Sequence, residues 1–261
     1  MDGVIDFFAD PAHWTGTTGI PNRLLEHLTI SGLSILFATA IALPIGLYIG
    51  HTNRGSSLAI NLANIGRAIP SYAMMVIPLP LTLSLAPVLG YDPTFGLDFL
   101  PIFLAMTFLA IPPLLVATYA GLRSVDRDLI EAGRGMGLRE RQILGQIELP
   151  LASSIIVGGF RTATLQVIAT ATIGAILSGG GLGRFIFDGL NQGVAGRPSI
   201  YAGAILVAAL AIGVDVLLSL LQTRLTPRAL RKARRRGMPG PSGPTSVVDG
   251  ADLPEAAASP A

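Results

Sequence analysis

Residues 123–150 read RSVDRDLIEAGRGMGLRERQILGQIELP. Five basic and five acidic side chains fall between Arg123 and Glu148, so the stretch is dense in charge yet neutral overall. Its apolar residues recur at helical spacing: Leu129, Ile130 and Ala132 ahead of a glycine break, then Leu138, Ile143, Leu144 and Ile147 behind it. That pattern predicts two short amphipathic helices joined at Gly135 and Gly137, because glycine reaches the positive φ a sharp turn needs. Pro150 suits the first turn of a further helix, where its missing N–H leaves no donor unused. A charged helix-turn-helix with a small apolar ridge is built to dock on a soluble partner.

On either side of this segment the chain is apolar. Windows without Asp, Glu, Lys or Arg run over 27–53, 68–91, 99–122 and 162–183, each long enough for a bilayer core that needs roughly 20 apolar residues. With 51% hydrophobic residues, only 13% charged and a mean hydropathy of +0.61, the chain is not a soluble enzyme, a disulfide scaffold or a nucleic-acid-binding domain. Cysteine is absent, so no thiolate chemistry is available. The fold expected is an all-α, polytopic membrane bundle of about five transmembrane helices, at 28–50, 68–89, 99–122, 149–177 and 199–221. Residues 55–67 are too short and Asn-rich for a span and read as an interfacial helix.

Charge gives these spans a direction. If the N-terminus is outside, inner segments hold 14 Lys and Arg and outer segments hold 3, which favours N-out, C-in and an odd number of spans. Seven of the eighteen basic residues follow the last apolar stretch, in 223–237, as a cytoplasmic anchor. Residues 1–27 open with Asp2, Asp6 and Asp10 and lack a positive flank, so they read as an extracytoplasmic segment and not a cleavable signal. Residues 238–261 hold five prolines, three glycines and no aromatic residue, and read as a disordered cytoplasmic tail beyond the permease domain of 28–222.

Several chemistries lack their residues. A phosphate-binding loop needs GxxxxGK[ST], and the one lysine, Lys232, sits in LRKARR. His13, His27 and His51 form no metal-binding spacing, and His27 and His51 fall at opposite ends of the first span. No Ser/His/Asp arrangement can be nominated. The chain is expected to be a non-enzyme, with no catalytic residue, no metal and no cofactor of its own.

The charged segment resembles the cytoplasmic loop of binding-protein-dependent ATP-binding cassette (ABC) importer permeases, whose pattern is EAA, three residues, Gly, nine residues, then Ile-x-Leu-Pro. Glu131, Ala132, Gly137, Ile147, Leu149 and Pro150 match it, and Gly133 stands where the pattern has a second alanine. The resemblance implies a MetI-like permease fold in a prokaryotic cytoplasmic membrane, with Glu131 to Gly137 contacting an ATPase subunit and Ile147, Leu149 and Pro150 fastening the loop to the fourth span. It further implies partners: ABC ATPase subunits that carry the ATP and magnesium, an extracytoplasmic solute-binding protein, and a second permease subunit, identical or paralogous. HWTGTTGIPNRLLEHL, ANIGRAIPSYAMM at 63–75 and FRTATLQVIATATIGAILSGGGLGRFIF at 160–187 are similar to permeases for glycine betaine, carnitine, choline and proline, with methionine-type importers sharing part of the last segment.

Three further groups are candidates. Ser178, Gly179, Gly180, Gly181 and Gly183 form a glycine-rich loop after the fourth span, able to line an outer gate, to receive the binding protein or to serve as a plain turn. Arg161 and Asp215 are the charges expected inside the membrane, at similar depths, and such charges pair; they are read as an ion pair holding two helices near the cytoplasmic gate. A quaternary ammonium cargo asks for aromatic faces, offered by Tyr72, Phe103, Phe108, Tyr119 and Tyr201, among which the sequence does not choose. The reading that follows is the membrane subunit of an ATP-driven osmoprotectant importer. The alternatives are an ABC permease for an amino acid or other small polar solute, and an ATP-independent channel or carrier.

Overall fold

The computed structural model describes residues 2–89, 93–178 and 180–225, and all regular structure among them is helical. The tail 238–261, most of the basic segment 223–237 and Gly179 lie outside the described residues. In chain order the helices are α1 (Asp2–Ala9), α2 (Ile20–Thr52), α3 (Ser56–Ala68), α4 (Ser71–Val76), α5 (Pro78–Leu89), α6 (Pro93–Arg123), α7 (Arg127–Gly135), α8 (Glu140–Ile143), α9 (Leu149–Ser178), α10 (Gly183–Asn191) and α11 (Arg197–Leu225). Four stretches are long and apolar enough to cross a membrane: Ile20–Thr52, Leu100–Arg123, Glu140–Leu177 and Arg197–Arg224.

These four correspond to four of the five expected spans. The fifth, expected over 68–89, is broken in two. Ile69 precedes Pro70 and is extended at ψ 126°, as the residue before a proline tends to be, and the helix breaks again between Val76 and Pro78. Pro78 and Pro80 have no N–H to give the Met74 and Val76 carbonyls, and the buried Thr82 hydroxyl finds its own internal partner by donating to the Leu79 carbonyl at 2.9 Å. Residues 55–67 do form a helix, α3, but Ala63 joins the bundle core, so α3 packs on its neighbours.

α2, α6 and α9 make the core. Ile35, Ala38 and Ala42 of α2 meet Ile102, Met106 and Ala110 of α6 and Ala163 and Val167 of α9. Helices surrounded by lipid gain little from burying apolar surface against one another, so close approach through small residues carries the packing. A Cβ on Gly46 would lie 2.7 Å from Thr118 Cβ, and one on Gly159 2.1 Å from Ala117 Cβ. α2 begins at Ile20 rather than near residue 28. It is about 50 Å long at 1.5 Å per residue, longer than the roughly 30 Å hydrocarbon core.

α1 folds back on one end of the bundle, with Phe7 edge-on to Phe185 of α10 at 5.7 Å. Phe7, Ile20, Leu182, Phe185 and Ala202 form a second core there. At the opposite end Leu122, Val125 and Ala152 form a third, covered by Ile130, Leu144 and Ile147. The expected outer segment 1–27 is therefore helical over much of its length.

Candidate functional site

The charged segment folds as a hairpin. The Asp126 carboxylate caps α7 by accepting from the Asp128 N–H at 3.0 Å. α7 ends in a tight turn: Met136, Gly137 and Leu138 N–H groups donate to the Ala132, Arg134 and Gly133 carbonyls at 3.0, 2.9 and 3.1 Å. Gly137 carries φ +81°, which is why this position takes glycine. Gly135 ends α7 itself, so Gly137 makes the turn. The second helix, α8, is four residues long and runs through a π-turn, Leu144–Glu148, into α9.

Pro150 explains that turn. It has no N–H to give the Gln146 carbonyl, and a one-residue widening of the helix accommodates the missing bond. The Leu149 N–H donates to the Leu144 carbonyl, five residues back.

Gly133 sits buried under Ile147. A Cβ there would lie 2.8 Å from Ile147 Cδ1 and 3.7 Å from Ile143 Cγ1, so the glycine lets α7 lie close on the π-turn. Glu131, Ala132, Gly137 and Leu149 remain exposed, Pro150 is half-buried, and Ile147 packs inward with Leu122 and Ala152. Leu129 and Met136 are exposed at 49% and 75%. The hairpin thus seats one apolar row on its own bundle and turns these two side chains outward.

Its charges are ordered. Arg134 donates to Glu140 through Nε at 2.9 Å and Nη2 at 3.1 Å, closing α7 on α8. This hydrogen bonding holds the Glu140 carboxyl below its usual range. Glu140 Oε2 also lies 3.2 Å from His51 Nε2, while His51 Nδ1 lies 2.5 Å from Glu148 Oε2. Glu148 is buried, at 3% exposure. A depression of about 330 Å³ beside this cluster is lined by Arg123, Arg127, Glu131 and Arg134 among others.

At the other end of α2 the Glu26 carboxylate accepts from the Gly181 N–H at 2.8 Å and from Arg23 at 3.0 Å. Neighbouring His27 is buried and shares a 3.1 Å hydrogen bond with the Ile168 carbonyl. Gly181 has φ +80°, and a Cβ on Gly183 would lie 2.1 Å from the Thr172 carbonyl oxygen. The described part of the glycine-rich loop is therefore held against α2 and α9. His27 and His51 stand 24 residues apart on one helix, about 36 Å at 1.5 Å per residue, which puts the loop and the hairpin toward opposite ends of α2.

Arg161 of α9 donates to Asp215 of α11 through Nε at 2.5 Å and Nη2 at 2.6 Å. Seven residues away on each helix, Gln222 Nε2 donates to the Ser154 carbonyl at 2.9 Å. Seven residues is close to two turns, so both contacts lie on one face of each helix and mark α9 and α11 as antiparallel neighbours. Of the aromatic candidates, Phe103 stacks edge-on to Phe37 at 5.2 Å, Tyr119 is half-buried, and Tyr72, Phe108 and Tyr201 are exposed.

The sequence did not single out Arg134, Glu140, Glu148 or Glu26 as partners. Glu148 occupies the free position of Ile-x-Leu-Pro, and its histidine partner is 97 residues away. No spacing signals a contact that only packing of α2 against α9 creates.

A bundle of long apolar helices with a structured polar hairpin at one end defines a polytopic membrane transport protein. The chain belongs to the family described as binding-protein-dependent transport system inner membrane component, whose model matches residues 42–230. It is 34% identical to the carnitine transport permease protein OpuCB of Listeria monocytogenes, over 91% of this chain and 100% of that protein. It is 32% identical to the choline transport system permease protein OpuBB of Bacillus subtilis, over 81% of this chain and 91% of that protein. Its fold matches the MetNI methionine ABC transporter in an inward-facing conformation, with TM-score 0.69 and 21% identity, covering 84% of this chain and 99% of that one. The chain is thus an ABC permease of the cytoplasmic membrane and not an enzyme, and proteins of its family depend on a binding protein.

Proposed function

We propose that this chain forms the translocation pathway of an ATP-driven importer for osmoprotectants such as glycine betaine, choline, carnitine or proline. Relatives that align over most of their length are named for carnitine and choline transport, which favours this cargo over an amino acid. Two copies, or one copy with a paralogue, would enclose the pathway. Two ATPase subunits carrying ATP and magnesium would sit on the inner side, and a solute-binding protein on the outer side. In this reading the N-terminus is outside, the hairpin is cytoplasmic, and the basic segment 223–237 anchors the inner end.

The observation that carries the coupling role is the hairpin's two-sided construction. Gly133 and Ile147 clamp it to α9, while Glu131, Ala132, Leu129 and Met136 face outward, ready for a groove on the ATPase. ATP-driven closure of the ATPase pair would push on that surface and shift the bundle between inward-open and outward-open states. The Arg161–Asp215 pair would keep α11 attached to α9 during the shift, and the 178–183 loop would close the outer end. An ATP-independent carrier gives the outward-turned apolar residues no role.

Reconstitution with the ATPase and binding protein tests this. Labelled betaine, choline or proline should accumulate only with ATP, and accumulation without ATP would overturn the reading. In a G137P variant the turn loses its φ of +81° and the N–H bonded to Arg134. Proline is confined near −65°, so the protein should reach the membrane normally while uptake falls to background.

A further inference from the structure

The hairpin is tied to α2 through one imidazole. Both ring nitrogens of His51 face carboxylate oxygens: Nδ1 lies 2.5 Å from Glu148 and Nε2 3.2 Å from Glu140. An ionised carboxylate only accepts hydrogen bonds, and a neutral imidazole has one N–H and one lone pair. A neutral ring would therefore set a lone pair against one of the two oxygens. Only the doubly protonated ring donates to both.

We infer that His51, Glu140 and Glu148 form a proton-dependent tether that fixes the position of the hairpin relative to α2. His51 acts here as a positioning residue. Glu148 belongs to the π-turn at the root of α9, and Glu140 opens α8, so the ring ties the end of α2 to both ends of the Glu140–Glu148 segment. The charged groups around it are Arg123 at the end of α6, Arg127, Glu131 and Arg134 of α7, Glu140 of α8 and Glu148 of the π-turn. Arg134 is committed to Glu140 through two hydrogen bonds and keeps that carboxylate ionised where histidine titrates. Loss of the ring's second proton therefore removes one donor while Glu140 stays an acceptor. On the reading of the hairpin as the ATPase contact, on which this inference rests for its consequence, coupling would weaken as the cytoplasm becomes alkaline.

The tether can be measured apart from transport. The chain has no cysteine, so spin labels at Y48C on α2 and M136C at the hairpin tip would be the only ones on the full-length chain in lipid nanodiscs. In the otherwise unaltered chain, the distance distribution should be narrow at about pH 5 and broader at about pH 8, the interval over which an unperturbed imidazole changes charge. H51R, with two donors at every pH, should stay narrow, and H51Q, with one, should show a distribution that does not change with pH. A pH response retained in either variant overturns the tether, so a failure of H51Q to fold leaves H51R as the test. ATP-driven uptake of labelled betaine by the reconstituted complex, at the same internal pH values, separates the two readings. If the distance responds while uptake does not, the tether stands and the hairpin's role in coupling falls.

Discussion

Glycines that look alike in the sequence do different work, decided by what a side chain would meet. A Cβ on Gly133 would be crowded by the movable end of Ile147, at 2.8 Å, whereas one on Gly183 meets the Thr172 backbone oxygen at 2.1 Å. Moving a terminal methyl is cheap, and alanine favours a helix over glycine by up to about 1 kcal/mol. Gly133→Ala should therefore leave the thermal midpoint of the purified protein unchanged or raised. Gly183→Ala must shift backbone and should lower stability by about 1–3 kcal/mol. Melting curves in one detergent compare the two, and a larger loss for Gly133→Ala would contradict this account. The matched spacing from Glu131 to Pro150 was legible at once, because turn glycines and apolar periodicity are local. That Gly133 admits Ile147, and that Glu148 takes up His51, was not, since both depend on how the π-turn re-aims α9.

Among the helices, the spans expected at 149–177 and 199–221 were read nearly to their ends, whereas the start of the first span and the region 68–89 were not. Proline content was visible in 68–89, but whether Pro70 and Pro78 kink a helix or divide it depends on packing that the sequence does not place. The similar depths of Arg161 and Asp215 were legible from helix rise, and the structure joins the two side chains. The Gln222–Ser154 contact two turns away was hidden, because glutamine facing a carbonyl has no composition signature. α11 exposes Ile205, Ile212, Val216, Leu217 and Leu220, so its attachment to α9 leans on these polar contacts. Asp215→Asn should cost the solubilised protein thermal stability by leaving an arginine unpaired. Exchanging the pair, Arg161→Asp with Asp215→Arg, should restore part of it. Wild-type stability in Asp215→Asn would show that the pair does not hold the helices.

Across the entire chain, hydropathy and basic-residue asymmetry gave the class and a direction, while element lengths came only with the folded form. α2 is longer than a bilayer core, so it must tilt or extend beyond the hydrocarbon. The proposed topology then makes a direct forecast. A single cysteine at Trp14, exposed beside α1, should react with an impermeant maleimide added outside intact cells. A single cysteine at Met136 should react only after the membrane is opened. The reverse pattern would invert the direction read from Lys and Arg. Cargo contacts stayed illegible because aromatic residues serve lipid-facing and core positions equally well, as Phe103 against Phe37 illustrates.

The π-turn does more than accommodate Pro150. Because helix continues through it, Glu140 and Leu177 are ends of a single 38-residue rod, about 57 Å long at 1.5 Å per residue. A flexible joint would absorb force at the membrane surface; a stiff shaft delivers it as tilt. Rotating such a shaft by about 5° about one end displaces the other by about 5 Å, so modest torque at one surface suffices to move the glycine-bearing seam at the far surface.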